Sequence, residues 1–169
     1  MSFTSAAVIV EALFPDARLP ARATRASAGL DLHAHLAGRT VRRCRAGEGP
    51  REEPVADGGL TIDPGERVLV PLGFRARLPE GTEAQLRIRS SAAFVKGLTM
   101  PNAPGTIDAD YPDEWMVMIR NDAGAPVRIE HGERIAQAVL AEFAAPPWEA
   151  GVVARSTDRA GGVGSTGRF

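Results

Sequence analysis

The 169-residue chain has a single cysteine, Cys44, so no intrachain disulfide can form and no cysteine cluster can hold zinc. Cys44 reads as a bystander rather than a nucleophile. No apolar run approaches the roughly 18–20 residues that cross a bilayer as a helix, so no membrane partner is expected. The opening Met1-Ser2-Phe3-Thr4-Ser5 lacks the basic region and long apolar stretch of a signal peptide, and a cytoplasmic protein is expected. Neither sign of charge dominates: 20 Lys plus Arg face 21 Asp plus Glu, for a formal charge of −1. Bulk binding of nucleic acid through phosphate neutralisation is therefore not expected, although a local cationic pocket for a small phosphorylated ligand stays open. No Gly-Lys-Ser or Gly-Lys-Thr occurs, which excludes a P-loop.

What is present reads as a globular β protein. Hydrophobic residues make up 44% of a chain long enough for one domain with a real core. Phe74, Ala76 and Leu78 alternate with Arg75 and Arg77, and Leu86 and Ile88 alternate with Gln85, Arg87 and Arg89, the period of a half-buried strand. Further strands are expected at 7–14, 115–121, 127–130 and 134–143. Turn chemistry separates them: Asp63-Pro64-Gly65, Pro79-Glu80-Gly81, Asn121-Asp122-Ala123-Gly124 and His131-Gly132. Many short strands with such breaks predict an all-β, jelly-roll-like distorted barrel with one short helix at 91–96. A single β domain is expected over 1–150. Within it, 38–59 is rich in Arg, Glu, Gly and Pro without an apolar period, and reads as an exposed excursion or extended hairpin. The Gly-rich stretch 151–169 reads as a flexible C-terminal arm.

Several strings carry chemistry. Gly162-Val163-Gly164-Ser165-Thr166-Gly167 matches the dinucleotide fingerprint, but only Arg168 and Phe169 follow, so no helix opens after it. What remains is a loop of free backbone N–H groups, flanked by Arg159 and Arg168, able to close over phosphates. His33 and His35 form a His-x-His pair, which a strand would place on one face, and His131 lies in a turn; this spacing does not define a zinc site. Asp108 and Asp110 flank Ala109, and an extended segment would put both on one face. Arg87, Arg89, Ser90 and Ser91 read either as a solvated strand end or as donors for a phosphate chain.

Taken in order, these segments resemble the five motifs of the trimeric dUTPase family. They are Ser27-Ala28-Gly29-Leu30-Asp31-Leu32-His33-Ala34; Arg89-Ser90-Ser91-Ala92-Ala93; Asn102 through Gly105-Thr106-Ile107-Asp108-Ala109-Asp110-Tyr111; Gly132-Glu133-Arg134-Ile135-Ala136-Gln137; and Asp158-Arg159 with Gly161-Gly162-Val163-Gly164-Ser165-Thr166-Gly167. Pro64-Gly65-Glu66 leading to Val70-Pro71-Leu72-Gly73 matches as well, so only 38–59 stands outside the resemblance.

The resemblance implies hydrolysis of dUTP to dUMP and pyrophosphate by a homotrimer whose active sites are shared between subunits. It implies Mg²⁺ held mainly by the substrate's phosphates, with Asp31 and Gln137 reaching it through water and no direct protein ligand. Asp108 matches the catalytic aspartate that activates a water for attack on the α-phosphorus. Arg89, Ser90, Ser91, Gln137 and Arg159 match phosphate-binding positions. Gly162, Val163, Gly164, Ser165 and Thr166 belong to the arm that closes over nucleotide. Asn102, Gly105 and Ile107 belong to the hairpin whose backbone meets the uracil edge, and Tyr111 matches the ring that packs under the deoxyribose and rejects a 2′-hydroxyl.

The sequence departs from the family pattern in four places. Only Ala160 separates Arg159 from Gly161-Gly162, where the family has two residues. Val163 stands where a phenylalanine commonly stacks over uracil, and Phe169 is the ring available to replace it. Ser91 replaces the common glycine, and Pro112-Asp113 replaces x-Gly after the tyrosine. Two other functions fit parts of the chain. A dCTP deaminase-type enzyme of the same superfamily shares Arg-Ser-Ser and uses a glutamate, for which Glu114 is the nearest candidate. A nucleotide-binding regulatory protein with altered catalysis would fit the changed arm and the charged insertion.

Overall fold

Strand-forming alternation persists along nearly the whole chain. The computed structural model describes residues 7–157. In chain order its strands are β1 (Ile9–Ala12), β2 (Ala21–Arg22), β3 (Leu30–His33), β4 (Thr40–Cys44), β5 (Arg51–Pro54), β6 (Gly59–Ile62), β7 (Arg67–Pro71), β8 (Phe74–Arg77) and β9 (Thr82–Ile88). Helix α1 (Ser90–Phe94) follows, then β10 (Leu98–Thr99), β11 (Gly105–Ile107), β12 (Met116–Asn121), β13 (Val127–Glu130) and β14 (Arg134–Glu142). Two five-stranded sheets, β10-β12-β7-β4-β5 and β11-β9-β14-β3-β2, are completed by the pairs β1-β8 and β13-β6, and every pairing is antiparallel. This is the expected all-β, jelly-roll-like barrel. The expected strand at 7–14 shortens to β1, and the helix begins at Ser90 rather than 91, because Arg89 is extended and its carbonyl accepts the Ala93 N–H at 3.0 Å.

The alternating residues converge on one core. Val68 and Val70 from β7, Val117 and Ile119 from β12, Ala84 and Leu86 from β9, and Ala136 and Ala138 from β14 are all buried with Leu32, Phe74 and Trp115. Burying side chains of this size is worth about 1.5–3 kcal/mol each for the Val, Leu, Ile and Phe members. The opposite face of β9 carries Glu83, Gln85 and Arg87, so the period of two sends one set of residues into the core and the other outward.

The 38–59 segment is an ordered hairpin of β4 and β5 laid on the edge of a sheet, with β4 paired to β7. Its inward positions are Val41 and Arg43, so half of its buried face is a cation. The Arg43 guanidinium forks onto the fully buried Glu66, with Nε to Oε1 at 2.9 Å, and also donates to Glu53 at 2.6 Å and to the Thr61 carbonyl at 2.9 Å. Arg51 from β5 adds a bond to Glu66 Oε1 at 2.8 Å, and the Asp63 N–H one to Oε2 at 3.1 Å. Charged Arg51, Glu52 and Glu53 line the outer strand β5, which discourages pairing with another chain. Gly65, at φ +76°, makes the β6–β7 turn possible, and its N–H reaches the Asn121 carbonyl at 2.8 Å.

Burial would push the Glu66 carboxyl up, but the hydrogen bonds from Arg43 and Asp63 outweigh it and hold it below its ordinary value of 4.5. A depressed folded pKa stabilises the fold above the unfolded value, and that contribution fades as pH falls below about 4.5 towards the folded pKa. Replacing Glu66 by Gln leaves Arg43 without its main buried partner, at a cost of about 3–5 kcal/mol at neutral pH. Urea unfolding as a function of pH should show this gap between wild type and Glu66→Gln narrowing below pH 4.5.

Candidate functional site

Register gathers the first group of candidate residues. Gln137 on β14 lies opposite Arg87 on β9 and opposite Asp31 on β3, so one rung carries Asp31, Gln137 and Arg87 on the outward face. A register shift between Arg134 and Ala136 re-aims the strand locally. Arg134 donates to Asp31 Oδ2 at 3.0 Å, and Arg89, one residue beyond β9, donates to Asp31 Oδ1. Burial alone would raise the Asp31 carboxyl; the hydrogen bonds from Arg134 and Arg89 dominate and hold it below the usual carboxylate range. Ser90 and Ser91 open α1 beside this group, both exposed. His33 closes the same strand as Asp31. Burial, reinforced by the Arg18 charge, pushes the pKa of its imidazole below the ordinary value.

Gly29 and Arg134 complete the group, although their residue types alone assign neither a role. A Cβ on Gly29 would collide with the Gln137 carboxamide, whose Cδ would lie 3.0 Å away, so glycine is what lets Gln137 lie over β3. The motif strings contain both residues, but only the pairing of β14 with β3 explains them.

A second group lies at the other end of β9. Strand β11 pairs with β9 so that Ile107 faces Ala84 and Gly105 faces Leu86. The Ile107 side chain and Gly105 are buried, leaving backbone as what they offer a ligand, while Asn102 is exposed in the preceding turn. The strand ends at Ile107 and the chain turns, with the Tyr111 N–H on the Asp108 carbonyl at 3.2 Å. The segment is therefore not extended, and Asp108 and Asp110 do not share one strand face as expected. Asp108 lines a cavity of about 500 Å³ with Arg77, Glu80, Asp110 and Phe143. Asp110 and Tyr111 line an adjoining cavity of about 330 Å³ with Ile9, Glu11 and Arg77. Arg77 stands between the two, a position visible only once β8 is placed.

The two groups do not meet within one chain. From Ala84, opposite Ile107, to Arg89 is a run of five residues, or about 17 Å along the strand at the usual rise. Arg159, Gly162, Val163, Gly164, Ser165, Thr166 and Phe169 lie outside the described residues.

The histidines form a different constellation from the His33–His35 pair. The chain leaves β3 at His33, and the buried His35 meets His131 edge-on, with ring centroids 5.1 Å apart, beside Asp16. Asp16, His35 and His131 are close enough to suggest a metal site, but their hydrogen bonds argue otherwise. His131 Nδ1 accepts the Leu36 and Ala37 N–H groups at 3.0 and 3.1 Å, so its proton sits on Nε2. His35 Nδ1 faces an Arg39 donor at 3.3 Å, which likewise places its proton on Nε2. The His35 Nε2–H then donates to Asp16 Oδ1 at 3.1 Å, and His131 Nε2 lies 3.4 Å from Asp16 Oδ2, so neither imidazole turns a free lone pair towards a cation at this point. The hydrogen bond from His35 also holds the Asp16 carboxyl below its ordinary range.

Arg39 continues this network with a two-pronged bond to Glu114 at 2.9 and 2.6 Å, and Glu114 Oε1 also accepts the Gly73 N–H at 2.7 Å. The carboxylate that a deaminase would need free is thus fully engaged.

Fold and face together define a jelly-roll-like protein with arginines, a carboxylate and exposed hydroxyls gathered at one outward sheet face. The family model described as dUTPase matches residues 55–167, and the chain belongs to the dUTPase family. It is 42% identical over 150 residues to the deoxyuridine 5'-triphosphate nucleotidohydrolase of Desulfotalea psychrophila, covering 88% of this chain and 87% of that one. Among solved structures it resembles the dUTPase of Streptococcus mutans (TM-score 0.62, 27% identity, 82% of this chain and 98% of that one). It also resembles a Staphylococcus bacteriophage 80alpha dUTPase mutant with dUpNHpp (TM-score 0.75, 22% identity, 95% and 98%).

Gly73 sits at φ +76°, and a Cβ there would lie 2.8 Å from the His35 ring and 3.0 Å from Ala17. Gly73→Ala should therefore cost more than the roughly 1–2 kcal/mol of a left-handed alanine alone. A fall in the denaturant midpoint checks this.

Proposed function

We propose that this chain hydrolyses dUTP to dUMP and pyrophosphate. The observation that carries this reading is the single rung Asp31–Gln137–Arg87, flanked by Arg89 and Ser90, in a chain of this family. It brings phosphate-binding residue types from three separated motifs to one outward sheet face. Asp108 is the carboxylate that orients and activates the attacking water at the α-phosphorus. Arg89, Ser90, Ser91 and Gln137 hold the phosphate chain, and Arg159 with the arm residues Gly162 to Thr166 closes over it. The chemistry is mostly positioning and charge stabilisation, so fixed guanidinium groups and backbone N–H groups suffice on the protein side.

Mg²⁺ fits this face: one carboxylate, Asp31, and one carboxamide, Gln137, stand opposite each other, and among the described residues no cluster of three acidic or histidine ligands surrounds them. An ion that keeps several waters and binds chiefly to phosphate needs no more, and it would supply neutralisation of the triphosphate charge. Arg134 keeps Asp31 oriented while Arg89 turns to phosphate.

Base and sugar selection belong to the second group. The backbone of the 102–111 segment reads the uracil edge: a fixed donor meets the uracil 4-oxo group and rejects the amino group of cytosine. Tyr111 packs under the deoxyribose and leaves no room for a 2′-hydroxyl. Because Asp108 follows the end of β11 that pairs with Ala84, about 17 Å along the strand from Arg89, a complete site draws groups from more than one copy, in keeping with a homotrimer. The 144–157 segment supports this reading too. It is exposed along its length and carries Trp148, Val152 and Val153 fully uncovered, as expected of an arm that lies on a neighbouring subunit. Among the described residues no helix is long and apolar enough to cross a membrane.

Pyrophosphate release should be seen with dUTP and Mg²⁺ but not with dCTP, UTP or dTTP, and Asp108→Asn should lower it by roughly 10²–10⁴-fold. No release from any nucleotide, with dUTP still bound, would favour the regulatory reading; ammonia release from dCTP would favour the deaminase. Tyr111→Ala should raise UTP turnover relative to dUTP, and an unchanged ratio counts against its place under the sugar. Gly29→Ala, by displacing Gln137, should weaken kcat by about tenfold or more while circular dichroism stays that of the wild type.

A further inference from the structure

We infer that Arg39, at the root of the 38–59 insertion, is a positioning residue for the Asp108–Tyr111 turn and acts through Glu114; this rests on the dUTP-hydrolysing reading of that turn. The turn is suspended between two anchors. On one side the Leu78 N–H holds the Ala109 carbonyl at 3.3 Å. On the other, the Trp115 N–H reaches the Phe74 carbonyl at 3.0 Å and the Trp115 carbonyl accepts the Leu72 N–H at 3.1 Å. Between Ala109 and Trp115, Tyr111, Pro112 and Asp113 are exposed, and Glu114 is the residue whose side chain ties the segment to the barrel.

The tie is strong and half-shielded. The Arg39 and Glu114 side chains are 15% and 12% exposed, and the fork geometry fixes the carboxylate in plane and direction. Arg39 is itself held on three sides. Its guanidinium lies 4.6 Å over the Phe14 ring, Nη1 also donates to His35 Nδ1, and His35 stacks on Phe14 at 4.5 Å and is bound to Asp16. Its backbone carbonyl accepts the Val55 N–H at 2.8 Å, which closes the base of the β4–β5 hairpin. The hairpin therefore fixes Arg39, Arg39 fixes Glu114, and Glu114 sets where the chain leaves Tyr111, three residues earlier. Loss of the fork leaves the Glu114 side chain held by the Gly73 N–H alone, which loosens the C-terminal end of the turn without touching the core.

The test compares kcat and KM for dUTP and UTP, with Mg²⁺, in the full-length wild type and in Arg39→Ala, Arg39→Lys, Glu114→Gln and the Arg39→Ala/Glu114→Gln double variant. Denaturant midpoints are measured alongside. Arg39→Ala is expected to lower kcat for dUTP and the dUTP-to-UTP preference by roughly tenfold, since displacements of about 1 Å cost up to ~10²-fold. Arg39→Lys should recover part of the preference. The double variant should lose no more than the worse single one, because both act through one contact. Arg43→Met, which alters the same hairpin on its buried side, should shift the midpoint without moving the preference. If Arg39→Ala does not fold, Glu114→Gln and Arg39→Lys carry the test. A wild-type preference in the Arg39 and Glu114 variants, or an equal loss in Arg43→Met, overturns the inference with the enzyme reading intact. No dUTP turnover by the wild type overturns both.

Discussion

The arrangement depends above all on the register of β14, which pairs with β9 on one side and β3 on the other. Ala136 and Ala138 point into the core, and Gln137 between them points out. A slip of one residue would bury the Gln137 carboxamide and expose the alanines, so burial of the apolar set holds the rung in place. Burying a carboxamide without partners would cost about 1–3 kcal/mol on mutational scales, on top of the lost core contacts. The same interaction that stabilises the barrel thus aligns Asp31, Gln137 and Arg87 across three strands. Site geometry here is a by-product of core packing, with Gly29 supplying the one local concession that the Gln137 side chain needs.

Charge does for the insertion what apolar residues do for the other strands. Glu66, buried beside β7, requires cations, and the β4–β5 hairpin delivers Arg43 and Arg51 to it. At the hairpin's root Arg39 performs a parallel service for Glu114. Buried pairs of this kind add little net stability over apolar packing, but they are intolerant of losing one partner, which makes them effective at fixing geometry. The insertion is integrated into the barrel at two carboxylates, one under the sheet and one beside the turn that carries Asp108 and Tyr111.

Much of the fold was legible in the sequence. Strands at 127–130 and 134–143 follow from alternation bounded by Asn-Asp-Ala-Gly and His-Gly turns, the second ending one residue earlier in the structure, and the outward Arg87 and Gln85 of β9 follow from the same period. The 38–59 hairpin was legible only as one of two alternatives, because the second inward residue of β4 is an arginine and the apolar period is broken at that point. The Asp108–Asp110 pair misled for a related reason: a period-two reading assumes extended backbone, and the chain turns directly after Ile107. His33 and His35 were separated because the strand ends between them, so one stays beside Asp31 and the other joins His131.

The family, the all-β class and the identity of the groups proposed to act are all readable along the chain, because ordered motifs and side-chain period survive without coordinates. Only the packed chain shows which groups stand together: that Asp31 is shared by two arginines, that the end of β11 before Asp108 pairs far along β9 from Arg89, that Glu114 is engaged by Arg39, and that His35 joins His131 and Asp16 rather than His33. The physical reason is that register, hydrogen-bond direction and the partner of a buried charge are properties of pairs of segments distant in sequence, and nothing local to either segment encodes them.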